Sequence, residues 1–263
     1  MNRDKIYDDL IKQYNSLTDD EKRAVVIYKS KLYKIINLIT SIDGFEFLSV
    51  NEIVERLPNL NGLRVMVSQF KEILNRPENM IVRFCCFNNI NFDDFNLLIE
   101  YLRDVYFILN STKDKIILNE DLIVYRGIAV DDFSEAKDMA MGNIISTSID
   151  IEDTEPYMSF RDKALLYIIK IKKGTPLLVA PNSLYCIYED REDYLYKKLN
   201  GVPATKLTLN NGGVEKVKQV ILFKDGIEFI EEKSEIREID GKFIAIHQVD
   251  CIPKYKEFNR TKK

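Results

Sequence analysis

The spacing of apolar residues changes once along this chain, near Lys115, and that change limits the fold more than any other feature. Before it the spacing is helical. The stretch LTDDEKRAVVIYKSKLYKIINLIT opens with a capping box, Thr18 and Glu21, in which each residue satisfies a backbone N–H of the other. Val25, Tyr28, Leu32, Ile35, Ile36 and Ile39 then recur at helical intervals, which predicts one long helix. Further helices are expected over 51–57, 62–75 and 93–109, the last with Leu97, Leu98, Tyr101, Val105 and Ile108 on its apolar side.

After Lys115 the texture is that of strands, at 122–125, 143–148, 165–171, 217–223, 227–231 and 243–249, with turns such as KKGTP and FKDG between them. Helices followed by strands, rather than alternating with them, make an α+β fold and argue against a doubly wound sheet. The expected organisation is a helical lobe over 1–115 and a β-rich core over 116–253. The two form one integrated domain, and residues 254–263 form a short basic tail. Residues 41–90 read as an elaboration of the helical lobe.

Composition removes several functions. The 263 residues are 46% apolar and 30% charged, which is globular rather than disordered. A net charge of −4 argues against a general nucleic-acid binder. No apolar run is long enough to span a membrane, and MNRDKIYDDL has no apolar core of a secretory signal. Cys85, Cys86, Cys186 and Cys251 lack metal-type spacing, so reduced thiols and no bound metal are expected. The single histidine, His247, alternates with apolar residues in KFIAIHQV and reads as a strand residue rather than a catalyst.

EDLIVYRGIAV poses the chemical question, because an apolar strand ends in Arg126 with Gly127 directly after it. Burying an unpaired charge is costly. A rim salt bridge is one answer. The other is a phosphate clamp, since a guanidinium is planar and permanently charged, and forks onto phosphate oxygens. A glycine beside it lets a ligand approach the backbone. Two more features stand in order behind it. The strand IISTSID carries Ser146, Thr147 and Ser148 at its end, and LLYIIKIKKGTP is a strand closed by Gly174, preceded by a segment bearing Tyr157 and Phe160.

In that order the chain resembles the mono-ADP-ribosyltransferases of the arginine–serine–glutamate type, which include C3-like and binary-toxin enzymes. Tyr28, Tyr33 and Asn37 are similar to that family's Y…Y..IN helix, and the resemblance runs over about residues 17–250. It implies a helical lobe packed on a mixed β core of two sheets enclosing an NAD cleft. It implies transfer of ADP-ribose from NAD, as substrate, to a side chain of an unknown protein acceptor, with release of nicotinamide. Arg126 is then the diphosphate clamp. Ser146 orients a carboxylate and opens into the same cleft as Arg126 from an adjacent strand, and Tyr157 or Phe160 packs on nicotinamide unless both belong to the core. Gly127, Thr147, Ser148, Tyr33 and Asn37 complete the NAD contacts.

Two residues compete for the family's glutamate. Glu192, with Asp190 two before it, stands at the usual distance after Gly174, although its segment reads as a helix ending at Gly201. Gln219, with Val217 two before it, matches the strand–turn–strand layout better, but an amide supplies no charge to an oxocarbenium. The alternatives to a transferase are therefore an inactive interaction module of the same fold, or an NAD glycohydrolase. A cytoplasmic location is expected, or delivery into a host cytoplasm without a signal peptide.

Overall fold

A computed structural model of the chain describes residues 3–30, 32–76, 83–135, 143–180 and 218–254. The described residues form two compact units, one of residues 3–11, 113–179 and 218–254, the other of residues 12–112 and 180.

In the second unit the capping box is in place. The Thr18 hydroxyl accepts from the Glu21 N–H, and the Glu21 carboxylate accepts from the Thr18 N–H at 2.9 Å. Glu21 is itself buried and also accepts from the Thr112 hydroxyl at 3.2 Å, so one carboxylate caps a helix and ties down a second. The expected long helix is two, α2 (Asp19–Lys29) and α3 (Tyr33–Ser41), and Ser30 makes the break. Its backbone is extended, and its hydroxyl donates to the Ile27 carbonyl at 2.5 Å and accepts from the Leu32 N–H, replacing helical bonds with local ones. All six apolar positions read from the sequence are nonetheless buried, because the bend keeps them on one side. Two further helices, α4 (Val50–Arg56) and α5 (Leu60–Leu74), lie close to their expected ranges. In α6 (Phe95–Thr112) the buried stripe is Leu98, Leu102, Val105, Tyr106 and Leu109, and Leu97 is exposed, so the helical phase differs by one residue from the expected one.

The first unit holds residues 3–11 of α1 (Arg3–Asn15) and a seven-stranded sheet. Its strands are β1 (Leu122–Val130), β2 (Ile144–Ser148), β3 (Lys163–Ile171), β4 (Leu178–Ala180), β5 (Gln219–Phe223), β6 (Ile227–Ile239) and β7 (Lys242–Pro253), in the order β4-β5-β2-β1-β3-β7-β6. β1 pairs antiparallel with β3 along its whole length, and β3 pairs parallel with β7. β6 and β7 form a hairpin closed by Asp240 and Gly241, both with positive φ, the turn that suits the right-handed strand twist. The α+β class is as expected. The described strands form one hydrogen-bonded sheet, not two. Two sheets were implied by the family resemblance alone; in the described sheet β1 and β2 are joined at a single register pair, Tyr125 with Ser148, and β2 pairs along its length with β5.

Candidate functional site

Arg126 was expected at the end of a strand, but β1 runs on through it and Gly127 to Val130, held by β3. What ends at Arg126 is the pairing with β2. Its Nη1 donates to the carbonyl oxygen of Ser146 at 2.8 Å, across the seam where the two strands part. Arg126 and Ser146 thus adjoin from adjacent strands, but through main-chain oxygen. Side chains alternate along a strand. The Tyr125–Ser148 pair therefore sends the Ser146 and Ser148 side chains to the side of Tyr125 and Gly127, while Arg126 leaves β1 on the other side. The expectation that the Ser146 hydroxyl opens beside the Arg126 side chain is corrected accordingly. The cause is the one-pair ladder, which fixes the relative side of the two residues without bringing their side chains together.

Gln219 begins β5 opposite Ser148, and Ser146 faces Ile221, so Gln219 lies diagonal to Ser146 on the same side of the sheet. Thr147 is buried, and its hydroxyl donates to the Val220 carbonyl at 2.8 Å, a bond internal to the sheet. The Ser148 hydroxyl donates to Asp153 Oδ2 at 2.6 Å and accepts from the Asp150 N–H at 3.3 Å. Asp153 belongs to a single 3₁₀ turn, Glu152–Thr154, that continues into the short helix α7 (Glu155–Met158). This segment packs on Gly127. A Cβ at Gly127 would stand 2.8 Å from the Thr154 carbonyl oxygen and 2.7 Å from Met158 Cγ. Tyr157 and Phe160 flank the same turn and stand outside the core, Phe160 at 79% exposure.

The first turn of α1 is fixed at the seam as well. Lys218 Nζ meets Asp4 Oδ1 at 2.7 Å, Arg3 donates to the Ile149 carbonyl at 3.3 Å, and the Arg3 guanidinium lies over the Tyr125 ring. Lys218 also stands over the Tyr7 ring. The Lys218 ammonium holds the Asp4 carboxyl below the usual carboxylate range, and the Asp4 hydrogen bond holds Lys218 above its own.

On Arg126's side the register carries Arg126 to Tyr167 and Tyr167 to His247. The Tyr167 and His247 rings stack at 4.9 Å, and His247 Nδ1 lies 2.5 Å from Glu231 Oε1. Burial raises the Tyr167 phenol, and the Glu231 charge raises it further, against the opposing pull of Arg126. His247 is a strand residue, as read, but it sits within a polar row.

Tyr33 and Asn37 lie in the helical unit. Tyr28 donates to Asn37 Oδ1 at 3.4 Å and meets the Tyr33 ring edge-on at 6.4 Å, so the three motif residues form one cluster there. Glu192, Asp190, Val217, Gly201, Cys186 and residues 255–263 of the basic tail lie outside the described residues. Sequence reading missed Asp153, Tyr167 and Glu231. Only Asp153 had a local signal, a carboxylate five residues after a strand-ending serine. Among the described residues no group of His, Cys, Asp and Glu is arranged to hold a metal ion, and no helix is long and apolar enough to cross a membrane.

No protein-family model matches the chain, and no curated protein matches it. Solved structures do. Plx2a, an ADP-ribosyltransferase toxin from Paenibacillus larvae, is 14% identical, with 95% of this chain and 92% of that one covered and a TM-score of 0.47. A C3-type ADP-ribosyltransferase from Clostridium botulinum is 12% identical, with 95% and 96% covered and a TM-score of 0.45. A C3-type protein from S. aureus, solved with NAD, is 14% identical, with 94% and 93% covered and a TM-score of 0.42.

Proposed function

We propose that the chain is an NAD-dependent mono-ADP-ribosyltransferase whose site is the seam between β1 and β2. The observation that carries this reading is the Arg126–Ser146 contact. It sets a guanidinium where β1 and β2 part, against the main chain of Ser146. A guanidinium presents its N–H donors in a planar fork suited to phosphate oxygens. The role assigned to Arg126 is to hold the NAD diphosphate, and that of the Ser146 hydroxyl is to orient Gln219 on their shared side. Gln219 hydrogen-bonds a ribose hydroxyl, and Tyr157 or Phe160 covers nicotinamide. Breaking the bond to nicotinamide leaves an oxocarbenium at ribose C1′, which needs held negative charge and excluded water. The acceptor is a protein side chain, and the reaction belongs in a cytoplasm, the chain's own or a host's.

A second reading, an NAD-binding interaction module without turnover, has specific support. Gln219 is neutral, and the register separates the Ser146 hydroxyl from the Arg126 side chain. One experiment separates the readings. The protein is incubated with adenine-labelled NAD and cell extract, and free nicotinamide and protein-bound label are measured. Release with labelling supports the transferase, and release without labelling means water is the acceptor. Bound NAD with neither favours the module.

A further inference from the structure

His247 is the chain's single histidine, and it leaves the sheet on the same side as Arg126. We propose that NAD binding at Arg126 is coupled to protonation of His247, the Glu231 carboxylate being a counter-charge that the proton cancels. The coupling rests on the reading of Arg126 as diphosphate clamp given above, and adds a proton control to that site.

The geometry is a row across four strands. Arg126 on β1 pairs with Tyr167 on β3, and Tyr167 with His247 on β7, so the three side chains share one side. Glu231 joins them because of a β-bulge. The register shift between Glu231 and Lys233 sets Glu231 opposite Val249, two residues from His247, and without the extra residue Glu231 would face the other side. Its Oε1 lies 2.5 Å from His247 Nδ1, while the imidazole stacks on the Tyr167 ring at 4.9 Å and 18°. Burial raises the Tyr167 phenol, Glu231 raises it further and Arg126 opposes, so both charges are felt at the middle of the row. A phenol so raised stays neutral below pH 8.

Among the described residues of these strands, the other charged groups on that side are Lys163 and Glu238, each four residues along, about 13 Å. Lys163 is paired with Asp132. Glu232, the bulged residue, is exposed. Ser234, opposite His247, and Ala245 and Val249 beside it carry no charge. The Cys251 thiol, pushed up to about 12, stays neutral as well. Imidazole is the side chain whose charge ordinarily changes between pH 5 and 8.

With neutral imidazole, whose Nδ1–H donates to Glu231, the row holds one positive and one negative charge, and the negative one opposes an anion at Arg126. A proton on Nε2 cancels it without moving any group. Strand spacing puts Arg126 and His247 about 10 Å apart, and the guanidinium reaches away from the row to the Ser146 carbonyl. One unit charge acting over about 10–15 Å on a diphosphate is worth about three- to tenfold in affinity at low salt. Coupling is reciprocal, so NAD favours the imidazolium by the same factor.

The test titrates NAD calorimetrically into wild type, H247F and E231Q from pH 8 to pH 5.5 in about 10 mM salt, where the Debye length is about 30 Å. Neither the diphosphate nor the adenine of NAD titrates in that range. Wild-type affinity should rise about three- to tenfold as pH falls, by the Coulomb argument above. H247F, which keeps a ring on Tyr167, should hold the wild-type pH 8 affinity throughout. E231Q should bind more tightly than wild type at pH 8. Proton NMR of the one histidine ring in wild type needs no variant, and its titration should move to higher pH when NAD is bound. Equal wild-type affinity at both ends of the range, a histidine titration that NAD leaves in place, or a pH dependence that persists in H247F overturns the coupling and leaves the clamp standing. Wild type that binds no NAD at any pH overturns both.

Discussion

A methyl group added at Gly127 would meet the carbonyl oxygen of Thr154 at 2.8 Å, so β1 and the turn after β2 are packed to backbone contact. The Thr154 carbonyl is main chain and has no rotamer to yield. Gly127→Ala is therefore expected to destabilise by about 1–3 kcal/mol, as overpacking does. It should also lower nicotinamide release, because it pushes the turn at Thr154 off β1 next to Arg126. Urea melts and the release assay on this one variant check both, and an unchanged midpoint contradicts the packing described.

Acid should weaken the fold in a defined window. Asp4 is held low by the Lys218 ammonium, Glu52 by the Ser49 hydroxyl and N–H, and Asp132 by the Ser134 N–H and hydroxyl. In each case the folded carboxyl binds its proton less readily than the unfolded one. Their stabilisation is thus fully present above the unfolded values, about 4. It is lost as pH falls through the depressed folded ones. The urea midpoint should hold from pH 7 to pH 5 on their account and drop below pH 4. A midpoint constant down to pH 3 contradicts the pairing.

Cys251 should resist alkylation in the native protein. It is buried on β7, and burial, with Asp250 beside it, pushes its thiol up to about 12. The thiolate, which is the nucleophile, is then scarce at pH 8. Peptide mapping after iodoacetamide should find Cys251 unlabelled natively and labelled in urea, and equal labelling in both states contradicts its burial.

The helical half was legible because its signals are local. Thr18–Glu21 is a four-residue motif, and the apolar spacing from Val25 to Ile39 survives the break at Ser30. The break itself depends on one hydroxyl outcompeting helical bonds, which no periodicity reports. The strands at Ile144–Ser148 and Lys163–Ile171 were readable from buried apolar runs. The expected end of β6 is Glu231, but the strand runs to Ile239, because its outer half, EKSEIREI, is charged as an edge strand must be. At the site, Arg126 was legible as a residue type out of place in a strand. Its contact with the Ser146 carbonyl, and the side to which each serine points, follow from where the β1–β2 ladder stops. The stop depends on long-range pairing with β3 and β5, which the local sequence does not encode.

The most direct measurement is a calorimetric titration of NAD into wild type, Arg126→Ala and Arg126→Lys, with circular dichroism to show that each is folded. If the seam is the NAD site, wild type binds NAD, and Arg126→Ala loses at least about tenfold in affinity, the worth of a charge-assisted hydrogen bond. Arg126→Lys recovers little, because an ammonium lacks the planar fork. Folded Arg126→Ala protein binding NAD as tightly as wild type, or wild type giving no heat with NAD at all, contradicts the account.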